Sequence, residues 1–187
     1  WDTLVVDAAD TATTTTTPNG FRFVQTTTRG LLPSMLERFL DERRRVKRLM
    51  RTETDAFQRK LLNGRQLALK VCANAMYGYT ISRFARVPCH AIGSSITAYG
   101  REMLGRLKAY VETTYGATVV AGDTDSVMVM FPGVDTVSGC VEMARRCVRE
   151  VNAALFALPV CLEYEKVLCP MLICAKKKYA AVQYGGG

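Results

Sequence analysis

The chain has 187 residues, 49% of them apolar and 22% charged, enough material for a folded core and too ordinary a balance for wholesale disorder. Its apolar runs last only a handful of residues, far short of the roughly 20 that span a bilayer, and no basic segment leads into an apolar stretch at the N-terminus. Membrane insertion and secretion are therefore not expected. Lys and Arg number 25 against 17 Asp and Glu, a net charge of +8.

The excess is local. Residues 31–70 carry 11 basic side chains and 5 acidic ones, so six of the eight surplus charges fall in this stretch. Such a field attracts phosphate, whether in nucleic acid, a nucleotide or a lipid headgroup, although a solvated helix face has the same composition. The seven cysteines are scattered with no Cys-x-x-Cys pair, and His90 is the one histidine. Neither a zinc site nor a disulfide framework is supported, and buried thiols in a reducing compartment are expected. The chain opens at Trp1 without Met and closes on three glycines after a strand-like run, which reads as an internal fragment.

In chain order, residues 1–9 could hold a short strand, the threonine-dominated residues 11–19 read as a mobile loop, and residues 21–26 as a brief strand. From Leu31 a helical pattern begins: Leu32, Met35, Leu36, Phe39, Leu40, Val46, Leu49 and Met50 recur at three- and four-residue steps. After a polar break at residues 52–55, where Thr54 or Asp55 could cap, a second helix carries Phe57, Leu61, Leu62, Leu67, Val71 and Ala75, with Asn63 and Gly64 as its weak point. The pair should pack as an antiparallel hairpin. An irregular segment follows Gly78, then a helix from about 92 to 115. Strands at 117–121 and 127–131 flank the turn-rich Gly122-Asp123-Thr124-Asp125-Ser126. A helix over about 137–156 and strands near 160–164, 171–174 and 179–184 complete the chain, so its second half is α/β or α+β.

Three constellations carry chemistry. Arg43 and Lys47 share a helix face, as do Lys70, Asn74 and Tyr77. In a paired hairpin, these cations and an amide suit a triphosphate, whereas snorkelling surface side chains would need the same spacing. Asp123 and Asp125, one residue apart at a hairpin tip, repel each other unless a cation binds, and a hard ion such as Mg²⁺ answers that need, although Gly, Asp, Thr and Ser are also ordinary turn formers. Lys176, Lys177 and Lys178 before Tyr179 could track a nucleic-acid backbone.

Together and in this order, these elements resemble the family B DNA polymerases. Lys70-Val-Cys-Ala-Asn74-Ala75-Met-Tyr77-Gly78 resembles Lys-x-x-x-Asn-Ser-x-Tyr-Gly of the fingers helix. Gly122-Asp123-Thr124-Asp125-Ser126 resembles the palm's Tyr-Gly-Asp-Thr-Asp-Ser, and Lys176-Lys177-Lys178-Tyr179 resembles the Lys-Lys-Arg/Lys-Tyr element that touches the primer-template. The stretches at residues 64–71 and 162–166 are similar to the delta-type replicative enzymes and their relatives in large DNA viruses.

The resemblance implies residues 1–30 as an N-terminal palm-side segment, 31–80 as helical fingers in an antiparallel hairpin, and 81–187 as a partial palm of mixed sheet and helices. It implies Asp123 and Asp125 as catalytic carboxylates and ligands of two Mg²⁺ ions, with Arg43, Lys47, Lys70, Asn74, Tyr77 and Gly78 at the incoming nucleotide. Lys176, Lys177 and Tyr179 contact DNA in this reading, and Glu165 supports the metal region. It further implies primer-template DNA and dNTPs as partners, room for a processivity factor on the parent protein, and a nuclear location, in the host nucleus if the source is viral.

Ala75 stands where the pattern has Ser and Ala121 where it has Tyr, each the loss of a hydroxyl. The other palm motif, Asp-x-x-Ser-Leu-Tyr-Pro, is expected upstream of Trp1, so the fragment alone is predicted inactive. The alternative is a non-enzymatic basic module that binds nucleic acid.

Overall fold

A computed structural model describes residues 4–5, 14–25, 29–86, 88–157, 159–175 and 177–185. They form two compact units, Trp1–Tyr99 and Gly100–Gly187.

The first unit starts with three short strands, β1 (Leu4–Val5), β2 (Thr14–Thr16) and β3 (Arg22–Val24), in an antiparallel sheet ordered β1, β3, β2. Threonines 14–16 therefore pair with Val24, Phe23 and Arg22 instead of forming a loop. Thr is β-branched and favours extended backbone, and the hairpin is latched to a helix through polar groups. Buried Thr17 donates to Asn19 Oδ1 at 2.7 Å, Asn19 donates to Ser94 Oγ at 2.6 Å, and buried Ser95 donates to Asn19 Oδ1 at 3.2 Å. Residues 11–13 and most of the strand expected at 1–9 lie outside the described residues.

Helix α1 (Leu31–Thr52) and helix α2 (Ala56–Ile81) follow. Asp55 caps α2 by accepting from the Phe57 and Gln58 amides, so the polar break works as its residue types suggest. Asn63 and Gly64 do not interrupt α2, which also runs past Gly78 to Ile81. The cross-links from Glu42 to Arg65 and from Arg43 to Gln66 have partners placed symmetrically about the connection, which makes the pair an antiparallel hairpin. The α1 stripe at the seam includes half-buried Leu32, Phe39, Arg43 and Met50 around Val46, which is fully buried.

On α2 the apolar pattern picks out the wrong side. The more buried positions are Leu62, Gln66, Leu69, Ala73, Met76, Tyr77 and Thr80, whereas Phe57, Leu61 and Val71 are 71%, 61% and 66% exposed. The helix has two apolar stripes, and periodicity alone cannot say which one meets α1.

Helix α3 (His90–Tyr115) begins against the end of α2: the Cys89 amide donates to Thr80 O at 2.8 Å. A Cβ at Gly93 would lie 2.1 Å from Ile81 Cγ1, so any larger residue there would force Ile81 or the helices to shift.

The second unit gathers the rest of α3, the hairpin β4 (Thr118–Asp123) and β5 (Ser126–Met130), helix α4 (Val137–Leu155), and the hairpin β6 (Val167–Ala175) and β7 (Lys178–Tyr184). Leu107 and Val111 of α3 pack on Cys147 and Val151 of α4, with Val119, Val127 and Val129 of the first hairpin against them. Thr136 caps α4 by accepting from the Gly139 amide. Burial of Cys147 raises its thiol pKa, while Cys72, Cys161, Cys169 and Cys174 are exposed, contrary to a uniformly buried set.

Residues 160–164 are not a strand. The Asn152 side chain instead accepts from the Leu162 amide at 2.7 Å and donates to its carbonyl at 2.9 Å, satisfying the backbone that a ladder would otherwise pair. The described residues are thus mixed α and β, four helices with small antiparallel sheets, as the patterning predicts.

Candidate functional site

The basic stretch divides into structural and available cations. Arg45 and Arg65 converge on Glu42, Arg45 through Nε at 2.8 Å and Nη2 at 2.9 Å, Arg65 through Nη2 at 2.6 Å. The hydrogen bond from Arg45, reinforced by the charge of both guanidiniums, holds the Glu42 carboxyl below its usual range. Arg43 is half-buried in the seam and donates from Nε to Gln66 Oε1 at 3.2 Å, while Gln66 Nε2 is held by Asn63 Oδ1 at 3.0 Å. The amide brought to Arg43 is thus that of Gln66, one turn before Lys70, a partnership with no signal in the spacing of apolar residues.

Lys47, Lys70, Asn74 and Gly78 are exposed, and Tyr77 is half-buried. Because Arg43 lies opposite Gln66 in the antiparallel hairpin, Lys47 falls level with residue 62, about 12 Å along the axis from Lys70 at a rise of 1.5 Å per residue. The cations line the hairpin on both sides of Arg43 and do not cluster at one level.

In the second unit the turn is shorter than expected. β4 and β5 pair through Asp123 and Ser126, leaving Thr124 and Asp125 as a two-residue connection. Thr124 takes a left-handed φ of 53°, a region uncommon for a β-branched residue, and the Asp125 amide donates to Asp123 O at 2.6 Å. Asp123 therefore ends a strand and Asp125 occupies the bend. Ser126 Oγ donates to Asp123 O at 3.1 Å, and Thr124 Oγ1 donates to Asp123 Oδ1 at 3.1 Å.

The tip of the β6–β7 hairpin meets this turn. Lys177, itself left-handed with φ 64°, places Nζ 3.2 Å from Asp123 Oδ1. Tyr179 lies on β7 opposite Ile173 and is 44% exposed. Lys176 lies outside the described residues. Glu165 is exposed and pairs with its neighbour Lys166 at 3.2 Å. Among the described residues no group of three or more His, Cys, Asp or Glu side chains could hold a metal. The donors on offer are two neighbouring carboxylates, which suits an ion such as Mg²⁺ that takes one or two carboxylates and completes its shell with phosphate and water. Lys177 already occupies one of these oxygens, Asp123 Oδ1.

Residues 3–186 match the sequence profile described as DNA polymerase family B. The chain belongs to DNA polymerase family B. It is 45% identical over 179 residues to the DNA polymerase delta catalytic subunit of Dictyostelium discoideum, covering 91% of this chain and 16% of that protein. The Bos taurus delta catalytic subunit is 44% identical over 177 residues, 90% of this chain and 16% of the relative. The family B DNA polymerase from the archaeon Pyrobaculum calidifontis superposes with a TM-score of 0.72 at 29% identity, over the whole of this chain and 23% of that one. This family B chain therefore spans about a sixth of the length of the curated relatives it matches. Among its described residues no helix is long and apolar enough to cross a membrane.

Proposed function

We propose that this chain contributes the fingers and part of the palm to a DNA-directed DNA polymerase, which adds deoxynucleotides to a primer 3′-OH and releases pyrophosphate. The observation that carries this reading is the paired carboxylate tip, Asp123 and Asp125, with the Lys177 cation on it. In this reading Asp123 and Asp125 hold two Mg²⁺ ions, which, when bound, lower the pKa of the attacking hydroxyl and neutralise the leaving pyrophosphate.

Arg43, Lys47, Lys70 and Asn74 bind the incoming triphosphate by charge and hydrogen bonds. The arrangement of cations along the hairpin supports a polyanion extended along the helices. Tyr77 and Gly78 lie against the nascent base pair, where a half-buried aromatic and an absent side chain leave a flat surface. Lys177 and Tyr179 touch the duplex, as does Lys176. Residues 1–30, 31–80 and 81–187 are the palm-side segment, fingers and partial palm, in a protein that works in the nucleus and accommodates a processivity factor.

The test is Asp125→Asn in the full-length protein. Primer extension should fall by several orders of magnitude while duplex affinity changes little. Retained extension would rule out the metal role and favour a basic module that binds nucleic acid without catalysis. In that module the same change should slightly strengthen duplex binding, because it removes negative charge.

A further inference from the structure

We propose that Lys177 is a resident counter-ion for Asp123, seated on its carboxylate when divalent cation and DNA are absent and exchanged for both together. This rests on the reading of Asp123 and Asp125 as the metal-binding pair.

Lys177 reaches Asp123 from a different hairpin, and the backbone at both tips is unusual. Thr124 and Lys177 are the non-glycine residues with positive φ among those described. Such conformations persist where the surrounding structure over-determines them, and they gather at sites with a task. The two side chains are 62% and 43% exposed, so the pair is not a buried structural bridge. An exposed pair of this kind shifts an equilibrium by at most about five-fold, strong enough to bias a carboxylate and weak enough to be exchanged.

An ammonium and a divalent cation sharing one carboxylate oxygen repel each other. Metal arrival therefore releases Lys177, and a released lysine on an exposed hairpin tip finds its next anion on a nucleic-acid phosphate. Conversely, duplex that draws Lys177 away leaves Asp123 a better metal ligand. Each ligand thus raises the affinity of the other by the same factor, as linkage requires.

The experiment is Mn²⁺ binding to the full-length protein, followed by the electron paramagnetic resonance of the free ion, with and without primer-template duplex. Lys177→Met should bind Mn²⁺ about three- to five-fold tighter than the parent without DNA, and that advantage should vanish when duplex is present. Lys177→Arg, which keeps the charge, should stay close to the parent, showing that the gain comes from charge and not from a disturbed hairpin. Unchanged or weaker Mn²⁺ binding by Lys177→Met would overturn the proposal, as would an equal gain in Lys177→Arg. An Asp125→Asn arm separates the two readings. If it abolishes binding while Lys177→Met has no effect, only the counter-ion fails. If it leaves Mn²⁺ affinity unchanged, the carboxylates are not the site and both ideas fall.

Discussion

Gly93 holds the start of α3 against the end of α2, and replacing it tests the packing that supports Tyr77 and Gly78. In Gly93→Ala the new Cβ would sit 2.1 Å from Ile81 Cγ1 and 2.6 Å from its Cδ1. Carbon atoms settle about 3.5–4.0 Å apart, so Ile81 must change rotamer or the helices must part. Overpacking of this kind costs about 1–3 kcal/mol, against a helix-propensity gain of at most about 1 kcal/mol for Gly to Ala. The net expectation runs from no change to a loss of about 3 kcal/mol. Ile81 is 38% exposed, so Ile81→Ala alone should cost about 1–2 kcal/mol, below the range for a fully buried site. Once Ile81 is truncated the clash is gone, and Gly93→Ala should be neutral or slightly stabilising. The decisive quantity is the coupling in the double-mutant cycle, about 1–3 kcal/mol, read from urea unfolding by far-UV circular dichroism. Coupling near zero, or a single Gly93→Ala variant more stable than the parent, would refute the close approach.

Leu107, 2% exposed at the centre of the second unit, should cost about 2–5 kcal/mol on truncation to Ala, measured by the same denaturation. Tyr164 Oη is buried without a hydrogen-bond partner among the described residues. Tyr164→Phe should therefore leave stability unchanged or raise it by up to about 1 kcal/mol, and keep the ring under the Arg145 guanidinium, whose Cζ lies 5.9 Å from the ring centre; a clear loss would mean the hydroxyl has a partner. The hydrogen bond from Tyr115, joined by that from Arg146, holds the Glu150 carboxyl below its usual 4.5, so the stabilisation it brings is complete above that value and fades as pH falls through the lowered one. Tyr115→Phe should lower the melting temperature near neutral pH, with the gap to the parent closing in acid; a gap independent of pH would show that the hydroxyl acts by packing alone. The Tyr115 hydroxyl itself is pushed well above its ordinary value by burial and by its bond to Glu150, so it stays protonated as the donor.

The helices were largely legible because their signals are local: the Asp55 cap, the polar break and the three- and four-residue steps need no distant partner. What sequence reasoning missed depended on partners far along the chain. The threonines of β2 look disordered by composition until Asn19 and Ser95, 76 residues apart, bond to each other. Residues 160–164 look like a strand until Asn152 claims the Leu162 backbone. The apolar face of α2 was ambiguous because two stripes compete and only α1 decides between them. At the site, the carboxylates and the lysine run were each visible as motifs, but no spacing rule brings Lys177 to Asp123, since that contact depends on two hairpins meeting.

The two-residue bend between Asp123 and Ser126 also sets a rule about length. Side chains along a strand alternate between faces, so a residue inserted next to the bend, and not absorbed by a register shift like the one between Val119 and Ala121, would turn the neighbouring positions to the opposite side of the sheet. Asp123 is held by the ladder, while Asp125 sits in a bend in which Thr124 takes a left-handed φ of 53°. On the proposed reading of both acids as metal ligands, the residue between them can vary, but the length of the bend cannot.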